Sequence, residues 1–310
     1  MKLKATKNIS LILLLTITCL ILPGSGLCAK RAMVDQLGRQ IIVPAHPLRI
    51  VALAPSITEV VFALGQEKKL KGATQFSNYP PEAARLPKVG SYVHLDLERI
   101  VALRPDLCLA IKDGNPKHIV DRLATLNIPV YAVDPRGLNS VMETIHEIGE
   151  LIGAGKKAAE LVSDMQRRIN LVDSRISTTV HRPRVFFQIG IAPIVSIGTD
   201  TFIHELIVRS GGINLTAGKT PYPRFSKEQV LGLSPEVFII TSMARGGAFE
   251  KIKSGWSKWK EMPAVKNDRI YLVNSDILDR PTPRIVDGLE MLVKVIHPEL
   301  FKPDLVEDKR

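Results

Sequence analysis

The sequence predicts an α/β protein of two lobes, each on a parallel sheet, joined by a single long α-helix. Three observations predict it. Short apolar, β-rich runs alternate with amphipathic helical segments, as parallel strands covered on both faces by helices require. The alternation halts once, at one helical stretch of about 23 residues, and then resumes. The two halves also repeat a set of residues at matched spacing.

The chain opens on an address. Lys2, Lys4 and Lys7 precede an apolar run from Ile9 to Leu22, which Pro23 ends. A small, weakly polar segment, Gly24 to Ala29, follows. This is the layout of a secretory signal peptide at 1–29, with cleavage near Ala29. The run is short of the roughly 20 residues a membrane span needs, which disfavours an uncleaved anchor. Leu27 before Cys28 and Thr18 before Cys19 fit a lipoprotein signal poorly. Loss of 1–29 removes three lysines and no acid, which takes the formal charge from +11 to +8. An exported, periplasmic protein is expected.

The N-terminal lobe is read over 47–154. Ile50–Leu53, Leu107–Ile111 and Val130–Val133 are its strands. Helices follow at Thr58–Leu64, opened by Pro55-Ser56 and closed by Gly65, near His118–Leu126, and at Leu138–Ile152. The linking helix falls within 155–180. Ala158, Leu161, Val162, Met165, Ile169, Val172 and Ile176 recur at three- and four-residue steps, one stripe on a helix roughly 35 Å long. Pro183 closes it. The C-terminal lobe spans 183–302. Its strands are Val185–Ile189, Val237–Ile240 and Ile270–Val273, and its helices Phe202–Arg209 and about Pro283 to Ile296.

The repeat lies where each lobe enters a strand. Glu98 is followed by Leu103, Pro105 and Asp106; Glu228 is followed by Leu233, Pro235 and Glu236. Six residues before each glutamate stands a tyrosine, Tyr92 and Tyr222. Asp96 and Ser226 are helix caps. Matched spacing at five positions predicts two homologous lobes related by pseudo-symmetry. Two readings of the glutamates stand side by side. Each meets the dipole of its own helix N-terminus, worth about 0.3–1 kcal/mol. Equally, two equivalent acids on facing lobes suit gripping basic groups on a symmetric partner. The tyrosines are either half-buried loop aromatics or rings that face a shared cleft, where open α/β sheets bind ligands.

Composition excludes several classes. With 45% hydrophobic residues and no low-complexity run, the chain is not disordered. Three cysteines cannot staple a fold of this length. Only Cys108 survives removal of the leader, and in its apolar run it reads as a small buried hydrophobe. Basic residues are spread along the chain, so no nucleic-acid surface is expected. No phosphate loop, serine elbow or Cys/His dyad appears, so the protein is read as not an enzyme. The cleft loops lack the several convergent His or carboxylates of a metal-ion site. His94, two residues after Tyr92, is a loop histidine or an axial ligand to a bound metal centre.

Phe76-Ser77-Asn78-Tyr79-Pro80-Pro81-Glu82, Pro87 to Tyr92, and the Glu98 segment through Asp106 resemble the periplasmic substrate-binding proteins of ABC importers for cobalamin and iron-siderophores. The likeness continues through the long helix, Gly198 to Phe202, Gly211 to Leu215, the Glu228 segment and Ser275-Asp276 to Ile285. It spans about residues 47–300 and is strongest to the cobalamin-binding members. The resemblance implies Rossmann-like lobes on a helical backbone, and capture of cobalamin or a related corrinoid between them. An iron-siderophore or haem is the alternative ligand. No cofactor and no metal of the protein's own are implied. The partners implied are an ABC permease dimer with its ATPase subunits, met by a monomer. Glu98 and Glu228 match glutamates that dock on the permease. Asp276 and Arg280 match a polar pair that holds the ligand's amides, and Phe76, Tyr92 and Tyr222 match aromatics that pack on the corrin. Ile111, Ile189 and Val195 stand where aromatics occur in the relative, which lowers the expected affinity. Arg224 is either an added charge at the cleft mouth or a solvated surface residue.

Overall fold

The computed structural model describes residues 29–218, 220–242 and 248–301. The leader read at 1–29 lies outside the described residues except for Ala29. An antiparallel hairpin comes first, β1 (Lys30–Val34) with β2 (Gln40–Pro44). Asp35 shapes its turn by accepting from the backbone N–H of Leu37 and of Arg39. Gln36 then ties the hairpin to the first lobe: its N–H donates to Ala132, and its side-chain oxygen accepts from the Asp134 N–H.

The first lobe runs β3 (Ile50–Ala52), α1 (Pro55–Ala63), β4 (Leu70–Ala73), α2 (Leu97–Ala102), β5 (Leu107–Ile111), α3 (Lys117–Thr125), β6 (Val130–Val133) and α4 (Leu138–Leu151). Its strands pair in parallel in the order β4-β3-β5-β6. Every residue of β3, β5 and β6 is buried, as a sheet covered on both faces demands. Cys108, on β5, is fully buried, and burial drives its thiol far above the ordinary range.

Helix α5 (Gly155–Ile176) follows and buries the predicted stripe of Ala158, Met165, Ile169, Val172 and Ile176. The second lobe runs β7 (Arg184–Gln188), β8 (Ile194–Val195), α6 (Phe202–Arg209), β9 (Ile213–Asn214), β10 (Arg224–Phe225), α7 (Lys227–Gly232), β11 (Val237–Ser242), α8 (Ala248–Trp256), α9 (Pro263–Lys266), β12 (Ile270–Asn274), α10 (Ser275–Leu278) and α11 (Ile285–Ile296). Its parallel sheet has the order β12-β11-β7-β9, and β8 and β10 form a small antiparallel ribbon. On one face Phe186, Phe238 and Trp256 pack with ring centroids 5.0 Å apart. Helix α5 is held to this lobe by Arg168, which pairs with Asp287 and Glu290 of α11 at 2.6 and 2.8 Å.

The repeat in the sequence is a repeat in the bonding. Reading β4-β3-β5-β6 against β9-β7-β11-β12 matches the two sheets strand for strand. Asp106 accepts from the Arg49 N–H, and Glu236 accepts from the Arg184 N–H. The two arginines return a guanidinium bond to the carbonyls of Leu103 and Leu233. Arg104 and Ser234, each six residues after its glutamate, both have positive φ, at 47° and 45°. Asp96 and Ser226 cap α2 and α7 as expected, accepting from the N–H groups of Arg99 and Gln229.

Some boundaries differ from expectation. Helix α1 starts at Pro55, because proline is pre-organised for a first turn. Helix α11 starts at Ile285, since the Thr282 hydroxyl first accepts from the Arg284 N–H. The hairpin at Lys30–Pro44, strand β4 and the β8–β10 ribbon have no counterpart among the expected strands.

Candidate functional site

The loops at the C-terminal ends of the parallel strands converge on one cavity of about 770 Å³ between the lobes. The turn after β3 supplies Ala54 and Pro55. The β5 loop supplies Asp113 and Gly114, and the β6 loop Asp134 and Arg136. From the second lobe come Ile189, Val195, Tyr222, Asp279 and Arg280. A volume near the upper end of ordinary small-molecule sites, with mostly apolar walls and a few aimed polar groups, is the form of a ligand cleft.

Phe76, Tyr92, Tyr222 and Arg280, four of the five residues expected at a ligand site, line this cavity. The tyrosines face a shared cleft, one from each lobe. Tyr222 Oη donates to Asp113 Oδ2 of the opposite lobe at 2.7 Å. Ile111, Ile189 and Val195 line the cavity too, so the aliphatic replacements fall on its wall. Asp276 sits behind the wall, 2.6 Å from the Arg280 guanidinium. His94 and Arg224 are exposed and do not line the cavity. Arg224 lies in β10 against Val195, so it is a surface residue of the ribbon. Glu98 and Glu228 are exposed in the first turns of α2 and α7. The Glu228 carboxylate is held below the ordinary range by its own backbone N–H and by Ser226. Tyr92 and Tyr222 reach the cavity six residues before these acids, so each acid follows directly on the cavity wall.

The position of Tyr92 is built by residues the sequence reading passed over. Asn115 Nδ2 donates to the carbonyls of Leu53 and Tyr92, and its Oδ1 accepts from the Ile111 N–H. The ring lies where a Cβ on Gly114 would stand: such an atom would come within 2.5 Å of it. Gly114 also has φ at +117°, so glycine is required on both counts.

One edge of the cavity is closed by an ionic clasp between the lobes. Glu59, on α1, has a side chain only 2% exposed and accepts from Arg280 Nη1 and Arg284 Nε, both at 2.8 Å. Arg280 also donates to Asn78 Oδ1 and to the Phe76 carbonyl. Arg284 stacks 3.6 Å above the Tyr79 ring. Burial pushes Glu59 above the ordinary carboxylate range, while the two guanidiniums pull it back. The sequence did carry a signal for Glu59: an acid set among Ile57, Val60 and Val61, on a helix that is otherwise core. A second ionic contact joins the lobes, Arg136 to Asp200 at 3.3 Å.

Asp279 is the outlier. Its Oδ1 is buried without a hydrogen-bond partner, and so is Thr241 Oγ1 close by. Burial pushes this carboxyl from 3.8 up to about 7, with the Thr241 hydroxyl pulling the other way. The sign for stability follows from proton linkage. Between pH about 4 and 7 the folded protein keeps a proton that the unfolded chain has released, so stability falls as pH rises through that window. The slope is at most about 1.4 kcal/mol per pH unit. Asp279→Asn is therefore expected to raise the melting temperature at pH 8 and to change it little at pH 4. Equal shifts at the two pH values would exclude this assignment.

Among the described residues no helix is long and apolar enough to cross a membrane, and no cluster of three or more His, Cys, Asp or Glu is placed to hold a metal ion. Residues 50–277 match the model of a family described as periplasmic binding protein. The chain is 32% identical over 243 residues to the vitamin B12-binding protein of Vibrio parahaemolyticus, covering 78% of this chain and 86% of that one. Among solved structures it is similar to the periplasmic vitamin B12 binding protein BtuF of Vibrio cholerae, with TM-score 0.73, 29% identity, and 83% and 99% of the two chains covered. A periplasmic heme binding protein from Pseudomonas aeruginosa gives TM-score 0.74 at 25% identity, covering 81% and 93%.

Proposed function

The chain belongs to the periplasmic binding protein family, and from that premise we propose that it captures cobalamin or a related corrinoid between its lobes for delivery to an ABC permease dimer and its ATPase subunits. The observation that carries this reading is the cavity itself. It opens at the strand ends of two matched sheets, and an aromatic from each lobe meets aliphatic walls of the kind a macrocycle packs against. The identities to vitamin B12-binding proteins support the choice of ligand. Family members bind rather than transform their ligands, and no catalytic step is assigned. Export through the leader read at 1–29 is part of this proposal. A haem or iron-chelate ligand is the second reading, favoured by the likeness to the Pseudomonas protein.

Delivery uses the pseudo-symmetry. Glu98 and Glu228, one per lobe at equivalent positions, meet the two halves of the permease. Because α5 is one continuous helix anchored at Arg168, lobe closure is small compared with proteins hinged on flexible strands. Isothermal titration with cyanocobalamin tests the ligand: sub-micromolar binding is expected. Arg280→Ala is expected to weaken that binding about tenfold, the worth of a charged hydrogen bond. Unchanged affinity in that variant would remove Arg280 from the site.

A further inference from the structure

Phe76 reaches the cavity from a segment that both lobes hold. Its ring is 39% exposed, so the neighbours it packs on do not fix it by themselves. The first lobe holds Ser77. Its Oγ lies 2.9 Å from Thr58 Oγ1 and 3.0 Å from Thr74 Oγ1, all three buried, and its carbonyl accepts from Lys88 Nζ. The second lobe holds Phe76 and Asn78, on either side. Arg280 donates from Nη2 to the Phe76 carbonyl at 3.2 Å and from Nη1 to Asn78 Oδ1 at 3.0 Å. Asn78 Nδ2 donates in turn to Asp276 Oδ2 at 3.1 Å. The guanidinium of Arg280 is itself oriented by Glu59 of the first lobe, which accepts from Nη1 at 2.8 Å. Thr58 and Glu59 are consecutive on α1, so one reaches the segment directly and the other through the opposite lobe. Neither Glu59 nor Asn78 lines the cavity.

We propose that Glu59 and Asn78 are positioning residues for the ligand site: through Arg280 they preset the Phe76 ring against the incoming macrocycle. The proposal rests on the reading above that a macrocycle packs on Phe76. Its physics is preorganisation. A ring ordered in the free protein need not be ordered by the ligand, whereas a loose one lowers the affinity by the freedom it loses on binding. Groups that touch a ligand are held to their geometry by a surrounding layer of hydrogen bonds, and these bonds form such a layer. Because the hold on Phe76 comes from the lobe opposite its own, the bonds that place the ring also set it to the width of the cleft.

The purified protein is titrated with cyanocobalamin, and with haemin in parallel, by calorimetry. Glu59→Gln, which keeps the size of the side chain, is expected to weaken binding about tenfold, and Asn78→Ala about fivefold, although neither residue touches the cavity. Phe76→Ala removes the ring that they position. In that background both changes are expected to shift affinity by less than about twofold, whereas in a Tyr222→Ala background they keep their full effect. Val172→Ala, a buried site on α5 outside the cavity wall, lowers stability and is expected to leave affinity unchanged, which separates positioning from a general weakening of the fold. Parent-like affinity in both Glu59→Gln and Asn78→Ala, or an equal loss with and without the Phe76 ring, would overturn the proposal and leave the corrinoid reading standing. Binding of haemin alone would overturn the corrinoid reading, and the same cycle run with haemin then decides the positioning role. Silence from both macrocycles would overturn the positioning role together with both ligand readings.

Discussion

Glu59→Ala is expected to lower the unfolding free energy by roughly 3–5 kcal/mol in urea denaturation at neutral pH, the usual cost of removing one partner from a buried ion pair. The side chain is 2% exposed, and the change leaves Arg280 and Arg284 without the carboxylate that joins them. Arg280 keeps Asp276, whereas Arg284 keeps, among the described residues, the Asp276 carbonyl and the Tyr79 ring. Because Glu59 stands on one lobe and both arginines on the other, the loss also frees one edge of the cleft. Small-angle scattering of the unliganded variant should show a larger radius of gyration than the parent. Glu59→Gln, which keeps an acceptor but not the charge, should fall between the two. A loss below 1 kcal/mol with unchanged scattering would show that the clasp contributes nothing net, as happens when desolvation matches the Coulomb gain.

The second large effect concerns delivery. The double variant of Glu98→Ala and Glu228→Ala is expected to bind cyanocobalamin as the parent does, yet to reduce uptake through its permease at least tenfold. Both side chains are exposed and neither lines the cavity, so ligand affinity should not register the change. Charged groups paired across an interface carry several kcal/mol when desolvated, and their removal shows in complex lifetime. Single variants should each lose part of the uptake, since in the proposed docking each acid meets one half of the permease. Normal uptake by the double variant would leave the acids with only their local role at the helix N-termini.

The elements that were legible in the sequence are those whose signal is local or repeated. Helix α5 declares itself by seven apolar positions on one stripe, and β5 and β6 by unbroken apolar runs. The repeat around Glu98 and Glu228 gave the symmetry, and with it the pair of tyrosines at the cavity. Strand β4 was illegible because Leu-Lys-Gly-Ala has neither alternation nor branched residues, and only its pairing to Ile50–Ala52 makes it a strand. The hairpin at Lys30–Pro44 was passed over although Asp35 to Gly38 has turn composition. The clasp could not be read at all. Glu59 and Arg280 are 221 residues apart, and nothing local to either names the other. The same holds for Asp113 and Tyr222, and for the orphaned carboxyl of Asp279, whose state is set by burial.

Cys108 has an experimental use. It is the sole cysteine after the leader and has no exposed surface. With burial driving its thiol so far up, it will not react with maleimides under conditions that label a surface cysteine. In a protein that starts after residue 29, a single cysteine introduced on either lobe is thus chemically unique without any further substitution. Two of them, one per lobe, accept a donor and acceptor dye, and the energy transfer between the dyes becomes a ruler for the cleft as each ligand enters.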